Sequence, residues 1–190
     1  MKHKYNFYVL IALLAMILAT LACTIFVGGP EYPAQPIPVS TEAVLSLEEQ
    51  IKAAILAGQE SGSVTLLINE AQLTSYLAFK LQTDQESLLT DPQVTLREGK
   101  MQVYGKTQQG IFVANMGITL AIGVDEQGKS KLEISSIDFG PFPVPKGLNE
   151  AMTAAIQETF TGSLGPVATG FRLETITIAD GVMTVTGRIK

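Results

Sequence analysis

The chain has 190 residues, enough for one domain with an appendage. It contains one cysteine and one histidine, and a single cysteine excludes a disulfide within the chain. Asp and Glu (18) outnumber Lys and Arg (13), and no stretch concentrates the basic residues, which argues against nucleic acid as a partner. Because the histidine is His3, near the N-terminus, the sequence excludes histidine-dependent nucleophilic catalysis and His/Cys zinc sites in the rest of the chain.

The N-terminus carries an apolar segment, residues 7–27, directly after Lys2 and Lys4. At about 1.5 Å per residue in a helix, it is long enough to span a bilayer core of about 30 Å. Two interpretations of residues 1–27 remain open: an uncleaved signal anchor, or a lipoprotein signal peptide with Cys23 as the lipidated residue. Both keep the lysines in the cytoplasm, so they predict a cell-membrane protein whose remaining chain is extracytoplasmic.

Residues 28–40 form a proline-rich segment, with Pro30, Pro33, Pro36 and Pro38. Prolines at this density favour an extended polyproline II conformation, which is typical of a semi-rigid spacer. We therefore expect a linker at residues 28–40 that holds an extracytoplasmic domain, residues 41–190, away from the membrane.

The domain begins with signals for two amphipathic helices. Ser46 and Glu49 have the spacing of a capping box, which predicts the start of the first helix. A short strand is expected at residues 64–68. Asn69 and Gln72 then have the spacing of a second cap, which places another helix immediately after the strand.

Antiparallel strands follow. Residues 94–106 have the pattern of a hairpin turning at Glu98 and Gly99. Residues 131–139 form another predicted strand, in which the apolar side chains change parity between Ile134 and Ile137, and such a change indicates a bulge or a bend.

Every second residue from Phe112 to Val124 is apolar, and from Asn115 onward the residues between them are small or polar. This pattern predicts that residues 111–124 form a long strand with one apolar face. A strand of this length far exceeds the usual five or six residues, so we expect it to curve. Its apolar face, together with the proline-rich turn near residues 141–145, is the candidate lining of a site for an apolar ligand. The candidate residues are Phe112, Met116, Ile118, Leu120, Ile122, Phe142 and Val144. The alternative is that this face simply fills the core of the domain.

A third amphipathic helix is expected from Leu148 to Phe160, and the chain ends in a hairpin that turns at Asp180 and Gly181. The whole order predicts an α+β fold in which a curved antiparallel sheet packs against amphipathic helices, preceded by an N-terminal transmembrane or signal helix.

No pattern in the extracytoplasmic part assigns a catalytic residue, a metal or a cofactor. A phosphate-binding loop and a dinucleotide fingerprint are both absent, and no pair of carboxylates is marked for acid–base chemistry. The sequence therefore predicts a protein that is not an enzyme.

Several stretches resemble a known family: INEAQLTSYLAFKL at 68–81, DPQVTLREGKMQVYGK at 91–106 and DFGPFPVPKGL at 138–148. With the N-terminal anchor and linker, they resemble the YpmS-like family of membrane-anchored extracytoplasmic bacterial proteins, over residues 63–190. That family has no accepted catalytic residues, so the resemblance implies none here. The pattern is also similar to the tubular lipid-binding (TULIP) proteins, in which a curved antiparallel sheet encloses lipid.

Two functions are therefore expected. The first is a membrane-anchored, non-enzymatic extracytoplasmic protein that binds a lipid or another apolar envelope molecule. The alternative is a scaffold or accessory subunit that holds a cell-envelope complex together through contacts with an unidentified protein partner.

Overall fold

A computed structural model describes residues 24–82, 89–128, 130–143 and 171–189, which form an α+β structure. In this part of the chain the helices are α1 (Thr41–Ser61) and α2 (Glu70–Gln82). The strands are β1 (Ile25–Phe26), β2 (Ser63–Asn69), β3 (Thr90–Arg97), β4 (Lys100–Gln109), β5 (Phe112–Val124), β6 (Ser130–Asp138), β7 (Phe171–Ala179) and β8 (Val182–Ile189). The predicted order is confirmed for these elements, with β1 as an unpredicted addition. The expected third helix lies outside the described residues.

The strands form two sheets where the sequence predicted one. In the first sheet, β3, β4, β5 and β6 are antiparallel neighbours in chain order, and the sheet is curled. The short β1 lies parallel to the start of β5, on the same edge that β6 occupies further along. Thus Ile25 pairs with Phe112, whereas Asp138 pairs with Gly117. The second sheet is antiparallel, in the order β2-β8-β7.

The second sheet closes one end of the first. Gly99, in the β3–β4 turn, donates a backbone hydrogen bond to Ile178 of β7 (3.2 Å), and Leu173 of β7 donates one to Gly128 in the β5–β6 turn (2.9 Å). Both turns lie at the same end of the first sheet, because its strands are antiparallel neighbours. Strand β7 therefore runs across that end, and the β4–β5 turn lies with β1 at the opposite end.

Both predicted hairpin turns are confirmed. Glu98 and Gly99 have φ angles of 53° and 74°, and Asp180 and Gly181 have φ angles of 49° and 82°. Two successive residues with positive φ are typical of the type I′ turn, whose twist matches that of the flanking strands. The dipeptides therefore fix the register of β3 with β4 and of β7 with β8.

The bulge predicted from the change of apolar parity in β6 is also present. The β5–β6 pairing passes from Thr119–Ser136 to Leu120–Ile134, so Ser135 is the extra residue. A similar shift occurs between β7 and β8, where Glu174 is skipped. An extra residue on one strand bends it and increases its twist, which contributes to the curl of the sheet.

The start of α1 differs from the prediction. Ser40 caps the helix by accepting a hydrogen bond from the Ala43 backbone N–H (3.3 Å), and Ser46 lies one turn inside it. Ser46 Oγ instead accepts a hydrogen bond from the Gln72 side chain (3.3 Å). The helix starts earlier than predicted because Ser40 follows the last proline, has an extended backbone and can therefore act as the cap. The residues between Ser40 and Ser46 are all compatible with a helix. The predicted cap of α2 is confirmed, since Asn69 and Gln72 exchange two side-chain hydrogen bonds of 2.9 and 3.0 Å.

The proline-rich segment 28–40, here called the strap, lies against the domain rather than projecting from it as a spacer. The Asn115 side-chain amide of β5 donates a hydrogen bond to the Pro30 carbonyl (3.0 Å). Pro30 also lies over Gly117, on the face of β5 that points away from the core. At its start, the Gly28 carbonyl still accepts a backbone hydrogen bond from the Asn115 N–H (2.8 Å). Because prolines have no N–H, the rest of the strap does not continue as a strand, and side chains of the sheet bond to its backbone instead.

Further along, the strap reaches β3. The Tyr32 hydroxyl donates a hydrogen bond to the Asp91 backbone carbonyl (2.7 Å). The buried Gln93 amide then accepts a hydrogen bond from the Ile37 N–H (2.6 Å) and donates one to the Ile37 carbonyl (3.1 Å). The strap therefore crosses the outer face of the first sheet from β5 to β3 before it enters α1.

The contact of Tyr32 with the sheet predicts a loss of stability at high pH. Burial and, to a smaller extent, the negative charge of Asp91 raise the pKa of Tyr32 above its ordinary value of 10.0. In the unfolded chain Tyr32 ionises at lower pH than in the folded protein, so its contribution is present below pH 10.0 and is lost as the pH rises through the folded-state pKa. We expect the melting temperature to fall more steeply above this pH in the natural protein than in a Tyr32→Phe variant. Parallel slopes for the two proteins would contradict the prediction.

Residues 25–27 fall in the apolar N-terminal segment of the sequence, yet they bond to β5 in the structure. Ile25 donates a hydrogen bond to the Ile111 carbonyl (2.7 Å), and Val27 donates one to the Val113 carbonyl (2.9 Å). Residues 1–23 lie outside the described residues. Of the helices in the described ranges, none combines the length and apolar character required to cross a membrane.

Candidate functional site

Most of the candidate lining residues on β5 belong to the core. Met116, Ile118, Leu120 and Ile122 have exposed fractions of 0, 2, 0 and 8%. They share one cluster with apolar side chains from α1, α2 and both sheets. At these four positions the apolar face of β5 is thus covered by other parts of the protein. This agrees with the alternative interpretation, in which the face fills the core of the domain.

The remaining described candidates are divided between the exposed surface and the margin of this core. Phe112, the first residue of β5, is 42% exposed, and Phe142, which follows β6, is half-buried against the core. Val144 and Cys23 lie outside the described residues. Five of the described candidates therefore share one packed cluster, and Phe112 lies apart from it; the five are Met116, Ile118, Leu120, Ile122 and Phe142.

Some of the half-buried apolar side chains at the margin of the core lie on β6 or directly after it, and this group is here called the rim. Its members are Leu132, Ile134, Ile137 and Phe142, each packed against the core cluster. The first three alternate along β6, which bonds to β5 and, within the described ranges, to no strand on its other side. The rim is thus the part of the core margin where apolar side chains remain accessible along an edge strand.

A second accessible apolar group lies at the end of the first sheet opposite β7. Ile25, Phe26, Ile111 and Phe112, here called the apolar tip, are 47, 61, 46 and 42% exposed. They are neighbours, because Ile25 pairs with Phe112 and bonds to the Ile111 carbonyl. Of these four residues, the sequence predicted only Phe112 as part of a binding site. Ile111 could also have been identified, since it is apolar at a position where the alternation along β5 places the side chain on the outward face.

The buried polar side chains of the described residues are amides and hydroxyls, namely Gln72, Thr74, Ser75, Gln93 and Thr107. Several of them join elements: Thr74 accepts a hydrogen bond from the Val94 N–H (3.0 Å), and Ser75 accepts one from the Ser40 N–H (3.0 Å). Tyr76 differs, because its buried hydroxyl has no hydrogen-bond partner in the structure. Within the described ranges, no three His, Cys, Asp or Glu residues lie together in a way that could hold a metal ion.

Comparisons with known proteins leave the family open. No protein-family model and no curated protein matches this chain, so the resemblance to the YpmS-like family stays a prediction. Among solved structures, a crystal structure of lipopolysaccharide binding protein aligns with 80% of this chain at 10% identity and a TM-score of 0.22. The alignment covers 48% of that protein, so this chain spans about half of its length. A TM-score this low does not establish a shared fold.

Proposed function

We propose that this chain is a membrane-anchored extracytoplasmic protein that binds a lipid or another apolar molecule of the cell envelope and catalyses no reaction. The apolar residues 7–23, which follow two lysines and precede β1, support the location. The observation that carries the binding role is the rim, because it offers apolar side chains beside a filled core along an edge strand.

The rim is suited to an acyl chain or a similar elongated apolar molecule. Leu132, Ile134 and Ile137 face the core side of β6, separated by exposed residues such as Glu133. An apolar molecule lying along them would remove their remaining surface from water, which is favourable by about 25 cal/mol per Å² of apolar surface. No charged group has to be buried in this arrangement, since the charged residues of β6 point to solvent.

Native mass spectrometry of the full-length protein tests the proposal. Protein purified in mild detergent is expected to retain lipid, and delipidated protein is expected to bind added phospholipid and a fluorescent apolar probe. Ile137→Ser should weaken probe binding by about tenfold, because it removes one partly buried apolar side chain from the rim. Leu67→Ser is the matched control, since Leu67 is an exposed apolar residue of β2 outside the rim.

The thermal melting of both variants is measured without ligand, so that a loss of fold is not mistaken for a loss of binding. Absence of retained lipid together with absence of probe binding would overturn the proposal. Equal binding by the two variants would exclude the rim as the site.

A scaffold or accessory subunit is the second candidate. It is favoured by the burial of Met116, Ile118 and Leu120, because these side chains are packed by the protein itself and offer no surface to a ligand. Under this alternative a stable protein partner co-purifies with the full-length chain, and delipidation leaves the complex intact.

A further inference from the structure

The apolar tip places four exposed apolar side chains at the end of the first sheet opposite β7. Phe112 is paired with Ile25, whereas Phe26 is paired with Val113, so the two phenylalanines lie on opposite faces of the sheet end. The tip therefore presents apolar side chains on both faces, and exposed apolar surface of this kind commonly marks a site of contact with a membrane or another protein. The surroundings of the tip decide between these occupants.

The chain around the tip is free of charge. Residues 107–124, which include the β4–β5 turn and all of β5, contain no Asp, Glu, Lys or Arg, and neither do residues 24–30. A neutral apolar surface can enter the interfacial layer of a bilayer without dehydrating an ionised side chain. In the described strands that pair with β5, charge first appears at Lys106, opposite Asn115, and at Asp138, opposite Gly117, so charged side chains lie behind the tip rather than on it. A neutral apolar tip with charges behind it suits a bilayer interface, where the charged groups stay in water.

The connection to the N-terminal segment places the tip next to the membrane. Thr24 is the only residue between Cys23 and β1, and β1 is bonded to β5. The proline-rich residues that follow cannot act as a spacer, because the strap is fixed to Asn115, Asp91 and Gln93. Whether the segment is an uncleaved anchor or ends in a lipidated Cys23, the membrane and the tip are adjacent.

We propose that the apolar tip lies in the interfacial layer of the membrane that carries the N-terminal segment, so that the domain stands on the bilayer with its second sheet distant from it. This inference rests on the membrane anchoring in the proposed function and adds the orientation of the domain and the contacting residues. The molecules that contact the tip are the lipids of the anchoring membrane, and the contact is with the acyl region just below their headgroups.

The chain contains no tryptophan, so single tryptophans report on the tip without background. We would introduce Phe112→Trp, and separately Phe26→Trp in case the first variant disturbs β5, into the full-length protein. Leu67→Trp is the control, because Leu67 is 56% exposed and belongs to the second sheet. Each variant is reconstituted into vesicles of phosphatidylethanolamine and phosphatidylglycerol, with and without brominated acyl chains.

The expected result is that both tip tryptophans emit at shorter wavelength and lose most of their fluorescence in brominated vesicles, whereas Leu67→Trp keeps its emission. Equal quenching at the tip and at position 67 overturns the inference. So does a blue shift at the tip that grows with protein density but shows no quenching, because it indicates a second copy as the occupant.

The test is independent of ligand binding at the rim. Unquenched tip tryptophans in protein that floats with the vesicles and retains lipid overturn the inference and leave the proposed function standing. Protein that does not stay with the vesicles overturns membrane anchoring itself. Quenched tip tryptophans in protein without bound lipid support the inference and count against the rim.

Discussion

Replacing Glu70 with alanine is expected to lower the free energy of unfolding by about 3 kcal/mol. Glu70 opens α2, and its carboxylate accepts hydrogen bonds from the Leu96 backbone N–H (2.7 Å) and from the Arg97 guanidinium. Its own N–H donates to the Gly181 carbonyl (3.3 Å), so one residue joins the start of α2 to both hairpin turns. Most of the loss comes from the backbone donor of Leu96, which is left without an acceptor, because Arg97 is more than half exposed and screened by water.

Two further variants separate these contributions under urea denaturation. Glu70→Gln keeps an oxygen for the Leu96 N–H, so we expect it to lose only about 1 kcal/mol. Glu133→Ala removes a carboxylate whose partner, Lys131, is equally exposed, and it should leave stability unchanged. If Glu70→Ala behaved like Glu133→Ala, the carboxylate would not hold these elements together.

Replacing Leu120 with alanine is expected to destabilise the ligand-free protein by about 3–4 kcal/mol. Leu120 is fully buried at the centre of the core face of β5, and truncation leaves a cavity that the surrounding elements fill only in part. The measurement is the midpoint of urea unfolding for delipidated protein. Leu67→Ala, at an exposed position, is the control and should change stability little.

The same experiment distinguishes core from ligand lining. A leucine that lined a ligand cavity would be replaced at small cost in the ligand-free protein, and the loss would appear in lipid binding instead. A small change in stability together with weakened lipid binding would therefore contradict the assignment of Leu120 to the core.

Local signals predicted much of the fold. The turns at Glu98 and Asp180 followed from dipeptides that accept positive φ, and the cap at Asn69 followed from a spacing of three residues. The bulge at Ser135 was visible as a change of apolar parity, because a skipped residue moves the following side chains to the other face. Each of these features depends on residues close together in the chain.

The features that the sequence did not predict depend on distant residues. Whether residues 28–40 project or lie on the sheet is decided by Asn115 and Gln93, which no local pattern connects to them. Pairing of Ile25 with Phe112 is likewise invisible in a window of adjacent residues. For the candidate site, alternation along β5 indicated an apolar face correctly but could not tell a filled core from a ligand surface, since both require the same side chains.

The sharing of one edge of β5 by β1 and β6 has a consequence for how the chain folds. A long apolar strand with a free edge is a template for aggregation, and here each half of that edge is occupied by a different strand. Strand β6 is joined to β5 by a short turn, whereas β1 is separated from β5 by much of the chain, so pairing of β1 closes a far longer loop. We therefore expect the start of β5 to be protected later than the rest of this edge, and self-association of the newly made chain to be favoured in that interval.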